Sequence, residues 1–69
     1  MNSVILRDPD ILGGVPVFQG TRVPVKNLFD CLEQGYTVRE FVEDFPSVSE
    51  AQVHLLLREV ERELKLTAA

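Results

Sequence analysis

The sequence is poor in the residues that build covalent and metal centres. It contains one cysteine, Cys31, one histidine, His54, and no tryptophan. A single cysteine excludes an intramolecular disulfide, and one cysteine with one histidine argues against a structural zinc site. No apolar run approaches the ~20 residues of a membrane span, and the N-terminus lacks the pattern of a signal peptide. We therefore expect a cytoplasmic chain, where a free thiol stays reduced, with no cofactor, metal or membrane contact.

Positive charge is scarce as well. Seven Lys and Arg residues stand against eleven Asp and Glu residues, which gives a net charge of −4. This balance argues against nucleic-acid binding by the whole surface, because phosphate neutralisation needs a local excess of basic residues. Nucleic-acid binding by a small basic face is still compatible with this net charge. The length predicts a single domain over residues 1–69. The hydrophobic core of so short a chain contributes only about 3–5 kcal/mol to the free energy of unfolding. We expect a homodimer to supply further stability.

Residues 1–24 have the composition of a small β-segment, since glycine and proline alternate with β-branched residues. Val4–Arg7 is predicted as the first strand. Val15–Phe18 and Thr21–Val23 are predicted to pair as a hairpin around Gln19-Gly20, whose glycine supplies a positive φ. Because Pro16 has no N–H to donate, its strand is expected at an edge or at a dimer boundary.

From Pro24 onward the apolar residues recur with helical spacing. Pro24 fits the first position of the first helix, and Gly35 fits the left-handed residue that follows its end. The second helix is predicted to begin after Thr37, which forms a capping box with Glu40. Pro46 ends this helix.

The third helix repeats the capping box, with Ser49 and Gln52. Its predicted core stripe has five members: Val53, Leu56, Leu57, Val60 and Leu64. The short turn between the second and third helices is typical of a helix-turn-helix unit. The sequence thus predicts a mainly α protein, with three helices over residues 25–66 and an N-terminal β-segment of a strand plus a hairpin.

The opposite face of the third helix carries the candidate functional residues. Because this helix enters the major groove in a helix-turn-helix, the candidate DNA-binding residues are Ser49, Ala51, His54, Arg58 and Arg62. The structural alternative is that these charges complement the helix dipole and pair within the helix, as Glu61 and Lys65 would. Leu55 and Leu66 on the same face, together with Arg7 of the β-segment, are candidate partner-binding residues.

The titratable residues give little basis for catalysis. Cys31 and His54 fall on different helices, and no acid is placed to orient the histidine, so no enzyme is expected. Arg22 is predicted to pair with Asp8 or Asp10 and to lock the β-segment to the helices. Four residues are predicted to have a structural role and not a binding role: Arg22, Gly14, Gly20 and Gly35.

Several of these residues carry a resemblance to the bacterial domain-of-unknown-function family 433. Three segments resemble the first half of the family's pattern: Asp8-Pro9-Asp10-Ile11, Gly13-Gly14-Val15-Pro16 and Gly20-Thr21-Arg22-Val23-Pro24-Val25. Its second half is resembled by Gly35-Tyr36-Thr37, Phe45-Pro46 and Val48-Ser49. The order of the two glycine motifs is the specific part of the match, which covers nearly the whole chain.

The resemblance implies the antitoxin half of a type II toxin–antitoxin pair of the VapB kind, encoded beside a toxin with a PIN-like ribonuclease domain. It also implies a homeodomain-like helix-turn-helix whose β-segment pairs across a dimer. We therefore expect a non-enzymatic, antitoxin-like protein that binds a PIN-like ribonuclease toxin and, as a dimer, operator DNA. The alternative is a protein–protein interaction adaptor with a helix-turn-helix shape and no DNA role.

Overall fold

A two-stranded sheet precedes three helices in the computed structural model, which describes residues 4–65. The strands are β1 (Ile5–Leu6) and β2 (Val17–Phe18), and the helices are α1 (Val25–Glu33), α2 (Val38–Asp44) and α3 (Glu50–Leu64). A short 3-10 turn, Leu12–Gly14, lies between the strands. The predicted fold class, mainly α with a short N-terminal β-segment, is confirmed.

The strands are arranged differently from the predicted hairpin. β1 and β2 pair antiparallel across a long connection, and the turn at Gln19-Gly20 forms with Gly20 at a φ of 81°. Residues Thr21–Val23 are not a strand, and a single bridge joins Val17 to Pro24 instead. The reason is local, because the Thr21 hydroxyl accepts a hydrogen bond from the Val23 N–H at 3.0 Å and so competes with a ladder.

Helix ends follow the predicted signals closely. Both capping boxes form, at Thr37 with Glu40 and at Ser49 with Gln52. Gly35 follows the end of α1 with a φ of 93°, which a residue without a Cβ adopts at little cost. Pro24 lies one position earlier than predicted, since its extended ψ of 137° makes it the N-cap of α1.

The core lies where the helices meet the sheet. Its fully buried side chains are Phe18, Phe41, Leu28, Leu56, Val17, Val48 and Val53. The ring of Phe18 lies 5.9 Å from that of Phe41, which lies 4.9 Å from that of Phe45. These tilted aromatic contacts join β2 to α2 and fix the β-segment against the helical unit.

Three expectations for the C-terminal half and the β-segment are wrong. Leu64 is 62% exposed, because α3 has 15 residues and its last turns extend past the shorter α2 of 7 residues. Lys65 adopts a φ of 54° and ends the helix, so no ion pair with Glu61 forms. Arg22 is exposed, and the only ion pair within residues 4–65 joins Lys26 to Asp30, not Arg22 to an acid.

The hydrogen bonds of Gln52 connect the start of α3 to the β-segment. Its Oε1 accepts from the Ser49 N–H at 2.9 Å, and its Nε2 donates to the Gln19 carbonyl oxygen at 2.9 Å, across 33 residues of sequence. One amide thus completes the capping box and holds α3 against the turn that follows β2.

Replacing Gln52 with glutamate tests this connection. Q52E keeps the acceptor of the capping box but removes the donor to Gln19, so we expect a loss of about 1 kcal/mol and a fall in Tm of roughly 4–8 °C. Q52A also removes the acceptor of the Ser49 N–H, although the Ser49 hydroxyl still caps the helix, and should lose about 2 kcal/mol. Q19E is the matched control, because it makes the same chemical change but keeps the backbone carbonyl. Equal melting temperatures for Q52E and Q19E would show that the long-range bond adds no stability.

Candidate protein-binding surface on helix α3

One face of α3 is fixed in the core, and this determines which residues face outward. Val53 and Leu56 are fully buried, so residues about half a turn away from them point to solvent. We call the exposed set the outer face of α3; it consists of Ala51, His54, Leu55, Arg58, Glu61 and Arg62.

An open depression of about 510 Å³ lies on this surface. Its described lining residues all belong to α3: Ala51, His54, Leu55, Leu57, Arg58 and Glu61. Small-molecule sites are enclosed and bury most of their ligand, whereas this depression is shallow and runs along a single helix. Its shape suits side chains of another macromolecule better than a small ligand.

The centre of the outer face is apolar and its border is charged. Leu55 is 54% exposed and lies one turn from the small residue Ala51. Arg58, Glu61 and Arg62 surround this centre on the C-terminal side. Apolar anchors inside a polar rim are typical of protein interfaces, in which arginine is also enriched.

Both arginines of the outer face have their donors available. Within residues 4–65 neither Arg58 nor Arg62 forms an ion pair or a side-chain hydrogen bond. The contrast is on α1, where a hydrogen bond to Asp30 at 2.9 Å raises the pKa of Lys26. The guanidinium groups of α3 are therefore free to meet an external acid or phosphate.

The other predicted site residues are in different environments. The Ser49 hydroxyl accepts from the Gln52 N–H at 3.1 Å, so its first role is to cap α3. Arg7 is exposed just after β1, and Leu66 lies outside the described residues. The predicted structural glycines all adopt positive φ; their values are 93° at Gly14, 81° at Gly20 and 93° at Gly35.

Two features were missed by the sequence analysis. Gln52 was assigned only to a capping box, and its long-range bond to Gln19 was not predicted. The signal for it was the glutamine itself, because an amide can donate a hydrogen bond as well as accept one, whereas the carboxylate of a glutamate can only accept. Leu12 adopts a φ of 50° and is 50% exposed, a conformation that is uncommon for residues other than glycine. It places a second exposed apolar side chain on the β-segment, near Val15, which is 43% exposed.

The structure does not bring the Cys31 thiol and the His54 imidazole together. Cys31 is half-buried on α1, and His54 is exposed on α3. No group of three or more His, Cys, Asp and Glu side chains is placed to hold a metal ion in residues 4–65. In the same range, none of the helices combines the length and the apolar character that crossing a bilayer requires.

Comparison with known proteins gives a family but no activity. The model of the family described as "Protein of unknown function (DUF433)" matches residues 5–58. The "Uncharacterized protein y4eO" of Sinorhizobium fredii is 38% identical over 53 residues, which are 77% of this chain and 24% of that protein. The chain therefore spans about a quarter of the length of this relative. No solved structure is significantly similar.

The family match begins at β1 and ends within α3, so it includes the β-segment, the turn at Gly20 and most of the outer face. It covers the two glycine motifs in their order, and it extends over well more than half of the sequence. The chain belongs to the DUF433 family.

Proposed function

We propose that this chain is a non-enzymatic, antitoxin-like protein that binds a protein partner through the outer face of α3. The observation that carries the proposal is the exposed Leu55, which lies beside Ala51 and two arginines that form no ion pair within residues 4–65. Burial of such a leucine in a partner gives affinity, while the arginines give direction. The resemblance to the antitoxins of type II pairs supports a PIN-like ribonuclease toxin as the partner.

The chemistry of such a partner matches the available charges. A ribonuclease that holds a divalent cation through carboxylates presents clustered acids at its site. Arg58 and Arg62 lie four residues apart and so project from the same side of α3. Guanidinium groups form bidentate, directional pairs with carboxylates, and neither arginine has to leave a partner within residues 4–65 to do so.

The same surface is less suited to DNA. In a helix-turn-helix motif the first turns of the recognition helix meet the base edges, and in this chain that helix is α3. Its first turns include Glu50, which repels phosphate, and the exposed Leu55. Glu61 adds a further negative charge to the outer face. Operator binding by a dimer is the second candidate function. It is favoured by the short connection between α2 and α3 and by the two arginines, which form no ion pair in the described part of the chain. An adaptor without a DNA role is the alternative if this binding is absent.

The protein-binding proposal predicts that L55E breaks the complex and leaves the fold intact. Leu55 is exposed and opposite the core stripe, so circular dichroism and Tm should stay close to those of the wild type. Loss of a central interface anchor costs about 2 kcal/mol or more, which is roughly a 30-fold weaker complex. The measurement is calorimetric titration with a PIN-like ribonuclease encoded beside the gene.

The matched control is L12E, which changes an equally exposed leucine on the β-segment. We expect L12E to bind the ribonuclease with wild-type affinity. If L12E abolished binding and L55E did not, the partner surface would lie on the β-segment, and the assignment to α3 would be wrong.

The DNA role makes a separate prediction. Binding to the chain's own promoter should weaken with added salt, and the double substitution R58A/R62A should reduce the slope of log affinity against log salt by roughly one to two. R22A, which removes an exposed arginine outside α3, is the control and should leave the slope unchanged. Gel shifts that detect no binding by the wild type at low salt would eliminate operator DNA and leave a purely protein-binding role.

A further inference from the structure

The buried side of α3 continues as an apolar line beyond the end of α2. Four residues follow one another on it at intervals of four, three and four: Val53, Leu57, Val60 and Leu64. That repeat keeps side chains in one line between two packed helices. α3 has 15 residues and α2 has 7, so the two helices are about 22 Å and about 10 Å long. The last two turns of α3 therefore extend the line past α2.

Burial decreases along this line. Val53 is fully buried, Leu57 and Val60 are half-buried at the margin of the core, and Leu64 is 62% exposed. A single exposed leucine needs no explanation, but Leu64 continues a line whose other members already pack. We call Leu57, Val60 and Leu64 the C-terminal seam. A further helix laid on this seam would extend the core by about two turns.

The side chains that flank the C-terminal seam are acidic on both sides. In heptad notation Leu57 and Leu64 occupy position a, and Val60 occupies position d. Glu61 and Glu63 then occupy positions e and g, which border the contact line and form the ion pairs that select a partner helix. Both carboxylates are exposed, and neither forms an ion pair within residues 4–65.

The basic residues of this part of α3 lie away from the seam. Arg58 and Arg62 occupy positions b and f, which point away from a partner helix in a paired arrangement. Lys65 follows Leu64, the last residue of the helix. α3 thus separates its charges, with the arginines on the outer face and the acids beside the C-terminal seam. The two sides of one helix therefore suit partners of opposite charge.

We propose that the C-terminal seam binds a basic amphipathic helix of another protein, with apolar residues at positions a and d and Lys or Arg at positions e and g. The apolar side chains of that helix pack on the seam, and its cations pair with Glu61 and Glu63. A second copy of this chain is a poorer occupant, because it would bring two acidic borders together. This binding goes beyond the proposed function and does not depend on it, since it is centred on a different side of α3.

The size of the seam predicts a weak and transient contact. Residues 57–64 span only about 12 Å of helix, and a pair of such segments buries less than the ~1,200 Å² at the lower limit of stable interfaces. We expect a dissociation constant on the order of 100 μM. Exposed ion pairs add little affinity in water, so the two glutamates act mainly by selecting a basic partner over an acidic one.

Two synthetic peptides test this selection on the full chain. Both contain three heptads, which is long enough for helix formation in water, with leucine at every a and d position. The basic peptide carries lysine at every e and g position, and the acidic peptide carries glutamate there. Fluorescence anisotropy at ~150 mM salt should give at least ~10-fold tighter binding of the basic peptide.

Charge reversal beside the seam shows whether the peptide binds there. E61K/E63K should exchange the preference, so that the acidic peptide binds at least ~10-fold better than the basic one. E43K/D44K is the matched control, because it makes the same change in net charge on the exposed surface of α2; it should still prefer the basic peptide. L64E should weaken binding of the basic peptide by ~10-fold or more and leave ribonuclease binding unchanged. Circular dichroism on each variant separates lost binding from unfolding.

The proposal is overturned if the folded wild type binds both peptides equally, if it binds neither at ~1 mM, or if E43K/D44K exchanges the preference as E61K/E63K does. A wild-type dimer in sedimentation equilibrium that L64E dissociates would place a second copy on the seam and would also overturn it. Peptide binding as described, by a chain that does not bind the ribonuclease, would overturn the proposed function alone. Ribonuclease binding without peptide selection would do the reverse.

Discussion

The rotational setting of α3 is the constraint on which the candidate site depends. Val53 and Leu56 are fully buried against α1, α2 and β2, and the Gln52 amide holds the first turn of the helix to the carbonyl of Gln19. Together they leave α3 only one orientation. Because the helix has 3.6 residues per turn, burial of one stripe requires that Leu55 and Arg58 face solvent. The exposure of this face of α3 is thus a direct consequence of how the core is filled.

Local signals in the sequence predicted most of the fold. The two capping boxes and Gly35 depend only on residues within one turn of each other, and the interactions they make are the same in any protein. The helix bounds follow from them. The chain segment Thr21–Val23 shows where such reasoning fails. The Thr21 hydroxyl accepts the Val23 N–H, so of the expected pairing only the bond from the Phe18 N–H to the Val23 carbonyl and the bridge of Val17 with Pro24 remain. Strand propensity does not reveal that competition.

The remaining errors depend on geometry beyond one turn. Leu64 lies on the same helical stripe as the buried Val53. Its burial would need another element packed against the last turn of α3, and the 7-residue α2 is too short to cover that turn of the 15-residue α3. The expected pair of Glu61 and Lys65 required the helix to continue, and it ends at Leu64. For the outer face, periodicity identified Leu55 and Arg58 correctly as exposed, but it could not show that the arginine would have no partner within residues 4–65.

Charge separates the functional alternatives more clearly than shape does. A helix-turn-helix outline suits DNA, yet a net charge of −4 and the acids at Glu50 and Glu61 oppose a phosphate backbone. The same acids are useful to a protein interface, in which mixed charges give direction and register. The relative in Sinorhizobium fredii matches this chain over about a quarter of its own length.

The central claim is that the outer face of α3 is a protein-binding surface. The most direct measurement is a ¹⁵N–¹H correlation spectrum of the labelled chain, recorded before and after addition of the unlabelled ribonuclease. The account predicts that the shifted amides cluster at Ala51, His54, Leu55 and Arg58 and their helical neighbours, while β1 and β2 keep their positions. Shifts confined to the β-segment, with the amides of α3 unchanged, would contradict it.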